Sequence, residues 1–228
     1  MDLKKEAARA AVQFVQHNHR IGLGAGSTMA HMADLLQQKA AEGLAFRVYT
    51  SSFSTARLLQ QKGFAVQQAT HTSAIDLYFD GCDQFDAGLN ALKSGGGVHT
   101  SEKILAFMAG EFILVGDESK YVQELSTRFP LVVEVLPEAL TYVQAQIGRL
   151  FAGTTSSLRQ APQKDGAIVT DHGNYLLDVM FTAWPPLEQI NPAAKSIPGV
   201  VETSLFFGIA QKAVIAGEQG VQVLYKQQ

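Results

Sequence analysis

The chain has 228 residues, a formal net charge of −3, and 46% hydrophobic against 17% charged residues. These values suit one large domain, or a domain carrying a smaller one, and exclude both disorder and a general grip on nucleic acid. The single cysteine, Cys82, excludes an internal disulfide and a Cys-based zinc site. Charges that begin at Asp2, Lys4 and Lys5, with no run of ~20 apolar residues, make a soluble, cytoplasmic protein without a membrane partner the expectation.

The first half alternates between helical and strand signals. Residues 3–17 place Leu3, Ala7, Ala8, Ala11, Phe14 and Val15 near a helical period, and 20–24 form a short apolar strand that runs into glycine. A helix over 28–41 follows, then a strand at 46–50, a helix at 52–62 and a strand at 74–80 that ends in Asp80. A helix at 101–110 and a strand at 112–116 complete a pattern that predicts a parallel sheet with helices on both faces. Near Pro130 the pattern changes. Strands at 131–136, 154–160, 174–181 and 200–203 enclose helices at 138–151 and 186–196, the second weakened and kinked by Pro192. The order β-α-β-β-α-β fits a small split βαβ, ferredoxin-like unit. Residues 205–225 return to apolar segments expected to rejoin the first sheet. The fold class is thus α/β: a Rossmann-like, mostly parallel sheet over 1–129 and 204–228, with a smaller α+β lid over 130–203.

Three segments carry chemistry. GLGAGST, residues 22–28, lies between a strand and a helix, where backbone amides hold phosphates and Ser27 and Thr28 add hydroxyls; a tight turn with a Ser/Thr N-cap is the other reading. It lacks the Gly-Lys-Ser/Thr ending of a P-loop and the third glycine of a dinucleotide fingerprint. DLYFDGCDQFD, residues 76–86, sets Asp80 and Asp83 at a strand's C-terminal end, where open α/β sheets place ligands; a solvated acidic turn is its bland counterpart. KSGGGVHTSEK, residues 93–103, combines a glycine run with Lys93, a candidate oxyanion stabiliser, and Glu102, a candidate base or a carboxylate favoured by a helix N-terminus. The six histidines show no i, i+4 ligand pair, and no metal site is expected.

These segments, with VGDESK, VTDHGNYLLDV and IPGVVETSLFFG, occur in the order and near the spacing of the type A ribose-5-phosphate isomerases, and the chain resembles that family from Lys4 to about Gly217. The resemblance implies a cofactor-free aldose–ketose isomerase acting on ribose 5-phosphate and ribulose 5-phosphate, as a homodimer or homotetramer. It implies Glu102 as the base, Lys93 as oxyanion stabiliser, and Asp80 and Asp83 as catalytic residues that hold the sugar hydroxyls and help ring opening and proton movement between O1 and O2. Ala25, Gly26, Ser27 and Thr28, with Lys4 and Lys120, would take the phosphate end. Gly81, Cys82, Ser94, Gly95 and Gly96 would line the sugar. The sequence departs from the family's usual residues at Ala25, Gln84, Ser94, Ser101, His172 and Pro192. The alternative is therefore a paralogue for another aldose phosphate, or a non-catalytic sugar-phosphate sensor.

Overall fold

The computed structural model describes residues 2–163 and 165–226. Three sheets organise it. Strands β1 (Arg20–Leu23), β2 (Arg47–Thr50), β3 (Val66–Gln67), β4 (Ile75–Asp80) and β7 (Ala109–Asp117) lie in one sheet with β13 (Lys212–Gly217) and β14 (Gly220–Tyr225). Strands β5 (Gln84–Phe85) and β6 (Ala91–Leu92) pair with β12 (Leu205–Phe206) in a second, and β8 (Leu131–Val135), β9 (Thr155–Leu158), β10 (Tyr175–Met180) and β11 (Val200–Thr203) form a third. The helices are α1 (Leu3–Ala11), α2 (Ser27–Ala41), α3 (Phe53–Gln61), α4 (His99–Met108), α5 (Leu140–Leu150) and α6 (Leu187–Lys195).

The large sheet runs β14-β13-β7-β4-β1-β2-β3. All neighbours are parallel except the antiparallel hairpin β13–β14 at one edge. Alternation along the strands divides its core. Ile21, Leu23, Leu77, Phe79, Ile113 and Val115 face one side, under the apolar stripes of α1, α2 and α3. Tyr49, Tyr78, Phe112 and Leu114 face the other, under Leu105 and Ala106 of α4 and the small β5–β6–β12 sheet. The chain leaves β1 towards β2 and β3, and builds β4, β7 and β13 on the opposite side. The gap between β1 and β4 is therefore the switch point, where loops at the strands' C-terminal ends part and leave a crevice.

The third sheet has the order β11-β8-β10-β9, with every pair antiparallel, as a split βαβ unit requires. Its own core packs Val133, Val135, Leu177 and Val179 against Val143 and Ile147 of α5 and Ile190 and Ala194 of α6. Gly199 makes the turn into β11 at φ +97°, and a Cβ there would stand 2.2 Å from that of Ala139. Gly199→Ala combines left-handed strain with overpacking and is expected to cost about 2–4 kcal/mol. Thermal unfolding checks it, with kcat of the surviving folded protein little changed.

Several boundaries differ from the sequence expectation. The first helix stops at Ala11, passes through a 3-10 turn over Val12–Phe14, and is extended by Val15. Helix α4 begins two residues before the expected 101, at His99, so Glu102 falls in its first turn. Helix α6, expected over 186–196, runs through Pro192 from Leu187 to Lys195. Of residues 205–225, β13 and β14 rejoin the large sheet, but β12 pairs with β6 in the small one. Among the described residues, no helix is long and apolar enough to cross a membrane.

Candidate active site

A cleft of about 250 Å³ opens at the switch point. Lys4, Ala25, Gly26, Ser27 and Thr28 line one end, and Val115, Gly116, Asp117 and Lys120 close the side formed by the end of β7. Gly81, Cys82 and Asp83 line the middle with Lys93, Gly95, Gly96 and Glu102. Stretches far apart in the chain thus converge. Two residues singled out from the sequence stand behind this lining. Asp80 is wholly buried under Lys93, and Ser94 turns its hydroxyl to the Pro130 carbonyl at 2.6 Å. Val115, Gly116 and Asp117, within the VGDESK segment, join the lining beside Lys120, although of that segment only Lys120 is a site candidate from the sequence.

The end lined by residues 25–28 is built by the start of α2. Gly26, at φ +99°, is the N-cap and offers no side chain to the first amides of the helix. The tight-turn alternative with a Ser/Thr N-cap does not occur here: Ser27 and Thr28 are the first helical residues, and Ser27 is exposed. Lys4 Nζ donates to Ser27 Oγ at 3.2 Å, adding a positive charge beside the open N-terminus. Unfilled amides, the positive end of the helix and an ammonium together favour a dianion.

At the other end three charged groups are buried together. Lys93 Nζ sits 2.8 Å from Asp80 Oδ2 and 3.3 Å from Glu102 Oε2, and donates to the Gly81 carbonyl at 2.6 Å. The Asp80 carboxylate also accepts from Tyr78 Oη at 2.7 Å, the Gly81 amide at 2.8 Å and the Ala25 amide at 3.3 Å. Room for it comes from Gly24, where a Cβ would lie 1.9 Å from the carboxylate carbon. Asp83 Oδ2 accepts from the amides of Ser94 at 2.5 Å and Gly95 at 3.0 Å, so the glycine run fixes that carboxylate at the cleft wall.

Burial, with the negative charge of Asp80, pushes the Glu102 carboxyl up to about 8, although Lys93 pulls the other way. Burial works against the Lys93 ammonium, but the Asp80 and Glu102 carboxylates outweigh it and hold the amine charged. The Cys82 thiol is pushed by burial up to about 12, far from thiolate chemistry, which suits small-residue packing. A carboxyl raised in this way beside a fixed cation is the arrangement that general acid–base chemistry near neutral pH uses.

The α+β unit grips this machinery from outside. Arg159 binds Asp178 through Nε at 3.0 Å and donates to the carbonyls of Ser94 at 2.8 Å and Gly95 at 3.2 Å, bracing the glycine run. Glu134, buried in β8, accepts from Thr100 of α4 and, at 2.8 Å each, from Thr170 and Asn174. Burial alone would raise its carboxyl, but these donors hold it below the usual range. Lys103, the residue after Glu102, donates to Glu202 at 2.9 Å and to the carbonyls of Thr203 and Leu205 at 2.6 and 2.9 Å. Helix α4 is thereby pinned on both sides of its candidate base.

The family model for ribose 5-phosphate isomerase A (phosphoriboisomerase A) matches residues 47–220. A model of the DeoR C-terminal sensor domain matches residues 1–69, a stretch that ends before Asp80 and Glu102. The chain is 37% identical to the ribose-5-phosphate isomerase A of Agrobacterium fabrum over 97% of its own length and 96% of that protein's. It is 36% identical to the ribose-5-phosphate isomerase of Homo sapiens over 96% of its own length and 71% of that protein's. The structure of ribose 5-phosphate isomerase A from Methanocaldococcus jannaschii superposes with a TM-score of 0.92 at 33% identity, covering 99% of both chains. A D-ribose-5-phosphate isomerase in complex with phospho-erythronic acid matches with the same score at 32% identity, over 99% of this chain and 100% of the other. With a parallel sheet that opens at its switch point, a helix N-terminus at one end of the cleft and a buried carboxyl–lysine pair at the other, the chain belongs to the ribose 5-phosphate isomerase A family.

Proposed function

We propose that the protein interconverts ribose 5-phosphate and ribulose 5-phosphate through an enediolate, with no cofactor. The observation that carries this reading is the buried Glu102–Lys93–Asp80 cluster facing the same 250 Å³ cleft as the uncapped start of α2. The phosphate docks on the amides at 26–28 with Lys4 and Lys120 beside it, which sets the sugar's C1 and C2 against Glu102. Glu102 removes the C2 proton, and the electron pair forms the C1–C2 double bond while negative charge grows on O1. Lys93 stabilises that charge, held in place by Asp80. Asp83 holds a hydroxyl and serves the proton movement between O1 and O2. Glu102 then returns its proton to C1, and the C2 hydroxyl proton leaves as the ketone forms. The α+β unit over 130–203 is a lid that fixes the glycine run and α4, and the remainder, 1–129 with 204–228, is the catalytic domain. Large apolar side chains left exposed on α3 and α4, such as Phe53 and Phe107, support burial against a second copy in a homodimer or homotetramer. The proposed sugar-phosphate substrate supports a cytoplasmic location.

Purified protein incubated with ribose 5-phosphate and EDTA tests this reading, with ketose followed by its absorbance. Ketose formation is expected. Calorimetric binding without turnover would establish a sensor instead, and turnover of another aldose phosphate alone would establish a paralogue. Lys4→Ala is expected to raise KM for ribose 5-phosphate about tenfold with a smaller change in kcat, because a charge-assisted contact to phosphate contributes about 1.5–3 kcal/mol. Steady-state kinetics at fixed ionic strength check it, and an unchanged KM would remove Lys4 from the phosphate end.

A further inference from the structure

Tyr78 precedes Asp80 by two residues on β4, so the two side chains leave the same face of the sheet. Its ring lies 5.3 Å from that of Phe112 and occupies space left by Gly22, whose missing Cβ would fall 2.6 Å from the ring. Phenylalanine would fill this slot equally well, and burying a hydroxyl costs free energy unless it is bonded. The hydroxyl donates to Asp80 Oδ2 at 2.7 Å, the same oxygen that meets Lys93 Nζ at 2.8 Å, and Ser51 Oγ stands 3.4 Å from its other side. We propose that Tyr78 is a positioning residue for the isomerisation: its hydroxyl fixes the Asp80 carboxylate, and through it aims the Lys93 ammonium at Glu102 and the cleft. This rests on the reading of Glu102 as base and Lys93 as oxyanion stabiliser.

Without that hydroxyl, the carboxylate leans on Lys93 Nζ and on the protonated Glu102 carboxyl beside it. The carboxylate draws the ammonium towards itself and away from Glu102, and its negative charge is felt more fully at the base. The titratable groups set around Glu102 are Lys93 from the loop after β6, Asp80 and Tyr78 from β4, and the Cys82 thiol beside Lys93. Burial and Asp80 already hold Glu102 at about 8, so a less shielded Asp80 moves it further up.

Tyr78→Phe tests the role. Expected are a kcat lower by about tenfold, a KM within about twofold of wild type, and an acid limb of kcat/KM moved to higher pH by about half a unit. Site-specific 3-fluorotyrosine at position 78 keeps the ring's shape but makes the hydroxyl a stronger donor, and the limb is expected to move down. A wild-type kcat with an unmoved limb overturns the proposal. So does a loss of kcat with an unmoved limb and a lowered melting temperature, which is a packing defect. If Tyr78→Phe does not fold, the direction of the limb with fluorotyrosine decides alone. Glu102→Gln is assayed in parallel. If it keeps turnover, the base reading fails whatever Tyr78 does; if it is inactive while neither Tyr78 change moves the limb, the positioning role alone fails.

Discussion

Glu102→Gln is expected to lower kcat by about 10²–10⁴-fold while leaving KM for ribose 5-phosphate near its wild-type value. The amide keeps the shape of the carboxyl but cannot take a proton from carbon. The proposed phosphate end, lined by residues 25–28 and Lys4, lies at the other end of the cleft and is untouched by the change. In the wild type the same group, as the proposed base, is expected to set a pH dependence. The base works ionised, and burial beside Asp80 holds its carboxyl at about 8, so kcat/KM is expected to rise with pH through that region. Turnover by Glu102→Gln within about twofold of wild type would remove Glu102 from the proton transfer.

The same substitution carries a stability signature of opposite sign. Glu102 has a folded-state value of about 8 against an ordinary value of 4.5. Below 4.5 both folded and unfolded chains hold the proton, and nothing is lost. Between 4.5 and 8 the unfolded chain gives up its proton while the folded chain keeps it, so stability falls as pH rises. Above 8 the penalty is constant. Glutamine never ionises, so Glu102→Gln is expected to gain melting temperature relative to wild type as pH goes from 5 to 8. Thermal melts at several pH values check this, and a gap that stays constant would mean that Glu102 ionises as easily in the fold as in the free chain. Loss of turnover with gain of stability is the expected mark of a strained functional carboxyl.

Much of this site is legible in the sequence because its signals are local. A strand running into glycine and then a helix places the proposed phosphate end, and an aspartate at a strand end places Asp80. The glycine run after Lys93 leads into a helix whose first turn holds Glu102. The β-α-β-β-α-β order of residues 131–203 reads from period and turn signals alone. Other parts depend on pairings between distant residues. β5, β6 and β12 are two residues each, too short to show a period, and β6 meets β12 across more than a hundred residues of chain. Ser94 looks like part of a ligand loop, yet its hydroxyl is taken by Pro130, and only the folded chain places that carbonyl there. Asp80 reads as a sugar ligand, but the register of β4 turns it inward, beneath Lys93. Tyr78 looks like an ordinary core aromatic until β1 and β4 are paired, when Gly22 comes opposite it and its hydroxyl reaches Asp80. The glycines of GLG are ambiguous for the same reason: next to a helix they suggest an anion loop, whereas the register gives them a second task.

That second task makes Gly24→Ala the most damaging single-methyl change expected in the chain. The new Cβ would stand 1.9 Å from both Cγ and Oδ1 of Asp80 and 2.2 Å from Oδ2. The carboxylate cannot step aside cheaply. It is wholly buried, and its two oxygens are held by Tyr78, Lys93 and the amides of Gly81 and Ala25. Displacing it separates a buried ion pair, at about 3–5 kcal/mol, and overpacking adds about 1–3 kcal/mol. That sum approaches the whole stability of an ordinary domain. The expected result is therefore a poorly folded protein, or a folded one with Asp80 displaced and kcat lower by at least about 100-fold. Gly96→Ala supplies the contrast, since its Cβ would meet nothing nearer than Val98 Cγ2 at 3.6 Å, and its effect on melting temperature is expected to be small. Circular dichroism melts of the two variants, with kinetics on whatever folds, decide the matter. If Gly24→Ala melts with Gly96→Ala and turns over normally, Asp80 is not clamped as the structure places it, and the support it gives Lys93 falls with it.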